Sequence, residues 1–333
     1  MSGSLAPPPP RPAVRAHRAG PTALLLALAC RVSAPVGPAP GTGETALAGR
    51  LFDRVLALPL AHGHPRRAAG IDGLAALLDT AGCRPVLRHR FAAHDPWRGT
   101  TTTGTNLLCR TYPGRTRRWL LATHFDPPPA AHEDPDPRNR RQPVPGANDG
   151  ASGVVTILWI LARAHPDDVG FDVVLFDGEE LGTPRDGGYL AGSRALAADL
   201  DRVAPWLRAV AGGVVLDMVA GRHLAIRRDP ASVAAAAPLV NHLFATAARL
   251  GVDAFVPQPG PNLGDDHLPL LAAGIPVVLL IDRDDPTWHT TADDRRAIEP
   301  AHAVAVARVV AEAARTAPYP MARRNASRSR IRR

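Results

Sequence analysis

The chain has 333 residues, 45% of them hydrophobic, enough for one large α/β domain or two small ones with a sizeable core. Its net charge of +8 is built on Arg alone, because the sequence contains no Lys. Four Arg without an acid fall in residues 1–31 and six more in 321–333; removing those ten charges leaves −2 for the rest, which argues against a basic nucleic-acid-binding face on the folded part.

The N-terminal segment reads as a leader. PPPP at 7–10 excludes helix there. Arg11, Arg15 and Arg18 then precede PTALLLALAC (21–30), an apolar run ending in an Ala27-Leu28-Ala29 cleavage pattern with Cys30 directly after it. This fits an exported chain, with Cys30 as a lipoprotein site, or equally a disordered leader on a cytoplasmic one. The run is too short to span a membrane, and no transmembrane segment is predicted. SAPVGPAPGTG (33–43) reads as a linker, so residues 1–43 stand apart from a single catalytic domain over 44–318 and a basic disordered tail over 319–333.

Within 44–318, ALAGRLFDRVLAL (46–58) and IDGLAALLDTAGC (71–83) carry apolar residues at helical spacing. VLRHRF (86–91) and TNLLCRTY (105–112) read as strands. WLLATHFD (119–126), VVLFDGEE (173–180), VVLDM (214–218) and VVLLID (277–282) are short, nearly continuous apolar runs of the kind buried on both faces of a parallel sheet. Helical stretches at 151–164, 193–200, 232–251 and 301–317 separate or follow them. The pattern predicts a single-domain α/β fold, a doubly wound, mostly parallel mixed sheet with helices on both faces. Cys30, Cys83 and Cys109 are scattered and odd in number, so no disulfide framework is expected; Cys83 and Cys109 read as small buried residues.

In such a sheet the ligand site lies outside the carboxyl ends of the strands. That edge collects His124 and Asp126, then Glu179 and Glu180, then Asp217, then Trp288 and His289. The loop PGANDGASG (145–153) adds Asp149, the loop GDDHLPLL (264–271) adds Asp265, Asp266 and His267, and the Pro-rich loop 126–146 is long enough to be functional. So many carboxylates with so few cations require a compensating charge, which a bound divalent ion supplies. Mixed His and carboxylate ligands suit zinc. Side chains adjacent in extended chain point to opposite sides, so one glutamate of the pair is free to bind metal while the other faces substrate as acid/base.

GANDGASG, FDGEELG, LAGSRALA, VVLDM, GDDHLPLLAAGIPVVLLI and TWHTTADD occur in an order and at spacings that resemble the M28 zinc peptidases. Within that clan the sequence is more similar to the glutaminyl-peptide cyclotransferases (glutaminyl cyclases). DDHLPL, the indole in WHT and the insertion before Gly192-Ser193-Arg194 carry that similarity. LGTPRDGG (181–188) lacks the tryptophan that cyclases carry there, and Gly264 stands where the animal enzymes often have Gln.

The resemblance implies Asp149, Glu180 and His289 as ligands of one Zn2+, Glu179 as acid/base, Asp217 and Asp265 as groups orienting that base and the substrate amine, and Trp288 as a pocket wall. The implied reaction converts the N-terminal Gln of a peptide or protein to pyroglutamate with loss of ammonia. An M28 aminopeptidase remains the alternative: His124 and Asp217 would then hold a second zinc, with Asp149 shared and Glu179 as base. A degenerate binding module is the third reading. Asp266 and His267 are expected to shape their loop, Asp126 is as readily structural as functional, and His62 is expected to be structural.

Overall fold

The computed structural model describes residues 40–163 and 168–318. The signal-like run with Cys30 and the basic tail lie outside the described residues.

Among the described residues there are eight α-helices, one short 3-10 helix (Pro205–Ala209) and eight strands, with the predicted elements in their predicted order. α1 (Thr42–Leu56) and α2 (Arg67–Thr80) precede β1 (Leu87–Asp95), β2 (Thr100–Arg110) and β3 (Arg118–His124). Then come α3 (Ala151–Arg163), β4 (Gly170–Phe176), α4 (Ala191–Ala198), α5 (Leu200–Val203) and β5 (Gly213–Asp217). β6 (Ile226–Arg228), α6 (Pro230–Leu250), β7 (Phe255–Pro259), α7 (His267–Ala272), β8 (Val278–Ile281) and α8 (Pro300–Thr316) complete the chain. α1 begins a little before the predicted start because Glu44, at its third position, reaches back to the Gly41 N–H at 2.9 Å.

Six strands form one mixed sheet in the order β1-β2-β4-β3-β5-β8. β4, β3, β5 and β8 run parallel, and β2 and β1 add antiparallel at one edge. Alternation along the strands divides the core in two. Trp119 and Leu121 of β3 pack with α1, α2, α3, α6 and α8 on one face; Leu120 and Ala122 pack with α4, α5 and α7 on the other. β3 is therefore buried over its whole length, which is why its sequence does not alternate. This mixed α/β architecture is the expected one.

Several expectations need correction. Cys83 and Cys109 form a disulfide with Cα atoms 5.3 Å apart. Their spacing gives no signal, because the pairing is made by packing the end of α2 against β2. GDDHLPLL is not all loop: His267 opens the short helix α7. β6 and β7 form a small separate parallel sheet that the sequence did not suggest. Among the described residues, α6 is long and apolar enough to cross a membrane by length and composition, and one side of it packs against α8 and β8.

Candidate metal centre and active site

The carboxyl ends of the parallel strands deliver most of the site. β3 ends at His124 and β5 at Asp217; β4 ends at Phe176, and the chain then turns to present Glu179 and Glu180. Asp149 lies just ahead of α3, and His289 lies in the turn that follows β8. His289 and Met218 (beside Asp217) have φ of +52° and +48°, a region that non-glycine residues occupy uncommonly.

Two ligand sets share Asp149. Asp149, Glu180 and His289 offer atoms within 4.8 Å of one another, and so do His124, Asp149 and Asp217. His289 Nε2 lies 2.9 Å from Glu180 Oε1 and 3.3 Å from Asp149 Oδ2. His124 Nε2 lies 3.0 Å from Asp217 Oδ1 and 3.3 Å from Asp149 Oδ1. His124 Nδ1 sits 3.1 Å from the Asp126 carbonyl, which can only accept, so Nδ1 donates and Nε2 is left facing carboxylates.

Both Asp149 oxygens are buried and accept no hydrogen bond, so a helix-capping role is excluded. A buried carboxylate with two orphaned oxygens, ringed by imidazole nitrogens and further carboxylates, is the donor set zinc accepts. The residues present therefore fit the metal.

Electrostatics point the same way. Burial opposes charge on His289, but Glu180 and Asp149 push its pKa up to about 10. His124 is likewise raised, against its burial, by Asp217 and Asp149. Burial also opposes ionisation of Asp149, yet its contacts to both histidines hold it below the ordinary carboxylate range. The lone pairs that call for protons here are the ones a divalent cation would satisfy. Glu179 moves up, through burial and the neighbouring Glu180 charge, and burial with Asp217 raises Asp265 to about 7.

The ligand-bearing loops are held by residues that sequence reasoning undervalued. Asp293 accepts the N–H groups of Asn148 (2.7 Å) and Asp149 (3.0 Å), and Asn148 bridges Asp285 and the Ala220 N–H. Asp126, which read as equally structural, accepts the N–H groups of Gly178, Glu179 and Glu180. The glutamates diverge because of this anchored turn, with Gly178 at φ +74°, and not because they lie in extended chain. His62, expected to be only structural, contacts Asp126 (3.4 Å) and Asp177 (3.2 Å), while Arg67 donates to both Asp177 oxygens. These three acid and imidazole groups could themselves hold an ion, but Arg67 already supplies the positive charge.

A cavity of about 460 Å³ opens over the site. Glu179, Glu180, Asp217, Asp265, Trp288 and His289 all line it, so the structure gathers the predicted set around one pocket. Asp149 and His124 lie buried behind that wall. Trp288 stacks on His289 with ring centroids 4.0 Å apart. Asp266 and His267 are buried; His267 Nε2 faces Asp229 at 3.2 Å, in keeping with a loop-shaping role. The Pro-rich loop reaches the pocket through His132 and Glu133, and its Asp134 fixes it to Thr291. Tyr189 and Arg283 also line the pocket and were not foreseen; an aromatic just past the glutamate turn was the one available hint.

No curated protein matches the sequence. The fold is similar to that of a Zn-dependent exopeptidase from Parabacteroides distasonis (27% identity, TM-score 0.73, covering 81% of this chain and 97% of that one). It is also similar to Fimbriiglobus ruber glutaminyl cyclase (29%, 0.73, 81% and 94%). A leucine aminopeptidase precursor from Bacteroides thetaiotaomicron is similar too (26%, 0.75, 84% and 99%). The match to the M28 family covers residues 106–314, from β2 through nearly all of α8, and so takes in every ligand and pocket residue named above. With that extent of match and this arrangement of strand-end carboxylates and histidines, the chain belongs to peptidase family M28.

Proposed function

We propose that the chain is a zinc-dependent glutaminyl-peptide cyclotransferase, closing the N-terminal Gln of peptides or proteins to pyroglutamate and releasing ammonia. Zinc held by Asp149, Glu180 and His289 would supply Lewis acidity to the side-chain amide carbonyl. The chain's own residues do the rest. Asp217 and Asp265 line the pocket beside Glu179 and suit the N–H groups of the neutral substrate amine, the form that attacks. Glu179 takes a proton as the α-nitrogen bonds to Cδ, and returns it to the departing amide nitrogen, which leaves as ammonia. Its raised pKa suits a carboxyl that must both accept and give back a proton.

The observation that carries this reading is the Trp288 face laid against His289 at the pocket wall. Cyclisation needs no water, because nucleophile and electrophile belong to one residue. The indole packed directly on His289 leaves less room for water at that ligand, which supports cyclisation over hydrolysis.

One observation favours the aminopeptidase reading. The two Asp149 oxygens face different histidines at equal distance, as a carboxylate shared by two metals would. Incubating the zinc-loaded chain with a Gln-initiated peptide and a Leu-initiated chromogenic substrate separates the two. Ammonia release with about one zinc per chain supports the cyclase; Leu cleavage with about two replaces it by the aminopeptidase. A folded chain that binds no zinc would be a non-catalytic module. The Cys83–Cys109 disulfide, a bond that persists in oxidising compartments, supports export as the chain's destination.

A further inference from the structure

The pocket contains a cation, Arg283, that is drawn by the charges of Asp149, Asp217, Glu133 and Asp284 but makes no direct pair with any of them. Arg283 follows β8 and lies half-buried in the pocket wall. Among the described residues its guanidinium has no hydrogen bond and no ion pair. The direct partners of its flanking acids lie elsewhere: Asp282 accepts the N–H groups of Ala225 and Asp284, and Asp284 pairs with Arg227. Other arginines beside the sheet behave otherwise, Arg67 pairing with Asp177, and Arg110 and Arg118 with Asp172.

Arg283 is also held in place. Its guanidinium carbon lies 3.2 Å from the centroid of the Trp288 ring. His289 stacks on the same indole at 4.0 Å, and two groups that close cannot share one face. The ring is therefore sandwiched, and Arg283 stands one indole thickness from His289. Consecutive residues of an extended peptide advance by about 3.5 Å. Arg283 and His289 line the same cavity, so a peptide whose first residue reacts at Asp149, Glu180 and His289 and whose chain runs past the indole would present its second residue to Arg283. A planar guanidinium with free donors is matched to a carboxylate, which it binds in two-point fashion.

We propose that Arg283 is a subsite for a carboxylate just downstream of the reacting residue, supplied by Asp or Glu at the second position or by the C-terminus of a dipeptide. The proposal rests on a peptide N-terminus occupying the site, and it deepens the reading above by naming a preferred substrate class. Glu133, which also lines the pocket, sets the opposing charge that such a substrate must tolerate.

The test is binding, so it does not depend on turnover. Calorimetry on the zinc-loaded full chain carrying Glu179→Gln would compare the amidated peptides Gln-Glu-Ala and Gln-Gln-Ala, and Gln-Ala as free acid and as amide. The acidic member of a pair should bind about ten-fold tighter, as expected for one charge-assisted pair. Adding Arg283→Met should bring that ratio close to one, and Arg283→Lys should restore part of it. A preference confined to one pair identifies the source of the carboxylate. Equal affinities, no detectable binding, or a ratio untouched by Arg283→Met would overturn the proposal. Cyclisation of Gln-Gln-Ala amide by the unaltered chain, measured separately, tests the reaction itself.

Discussion

Asp126 holds the backbone of Glu180: its Oδ2 accepts the Glu180 N–H at 3.1 Å, while Oδ1 takes those of Gly178 and Glu179 at 2.9 and 3.2 Å. Three donors on one carboxylate fix the turn that separates metal-facing from substrate-facing glutamate. Asp126→Asn replaces one accepting oxygen with a donor and leaves at least one buried N–H unmet. Turnover should fall about 100-fold, the scale of a small misplacement of reacting groups. Zinc content, measured alongside, should persist; loss of zinc with unaltered turnover in reloaded protein would contradict a positioning role.

Glu179→Gln should retain zinc and lose turnover by about 10²- to 10⁴-fold, the contribution of a positioned acid/base. Glu180→Gln should lose zinc, since it removes a charged ligand from a set of three. Metal analysis of the two purified variants, paired with activity, checks the assignment. Both variants keeping metal and activity would exclude it.

Stability should fall in alkaline solution through His62. Its burial lowers the pKa, but hydrogen bonds to Asp126 and Asp177 outweigh this and raise it from 6.5 to about 9. A folded-state pKa above the unfolded one means the protonated imidazole stabilises the fold. That stabilisation is complete below pH 6.5 and is lost as pH rises through about 9. Denaturant midpoints between pH 6 and 10 should show the decline. His62→Gln should flatten it; an unchanged slope in that variant would place the effect elsewhere.

Reducing the Cys83–Cys109 bond should destabilise the domain by about 2–4 kcal/mol, since the link closes a loop of moderate length in the unfolded chain. The double variant Cys83→Ser, Cys109→Ser gives the same comparison without reductant. Identical melting of oxidised and reduced protein would show that the bond contributes nothing.

The parallel strands were legible because each is buried on both faces and so reads as an uninterrupted apolar run, as in VVLF ahead of the glutamate turn. The ligand residues were legible because strand ends place them at one edge of the sheet. What escaped reading depends on contacts between segments distant in sequence. His62 meets Asp126 and Asp177 only after α2 packs beside the sheet. Asp293 serves backbone groups of residues 148 and 149, far from it in the chain. The disulfide joins a helix end to a strand with no local signature, and Arg283 gains meaning only once Trp288 is seen beneath it.

Arg67 and His62 lie upstream of residues 106–314, where the family match is found. A chain trimmed to the matched segment would retain Asp126 and Asp177 in full while shedding both of their counter-charges. It would also leave Cys109 without its partner. The floor beneath the glutamate turn is thus completed by residues upstream of the matched segment 106–314. A shortened chain that keeps these contacts must include both His62 and Arg67.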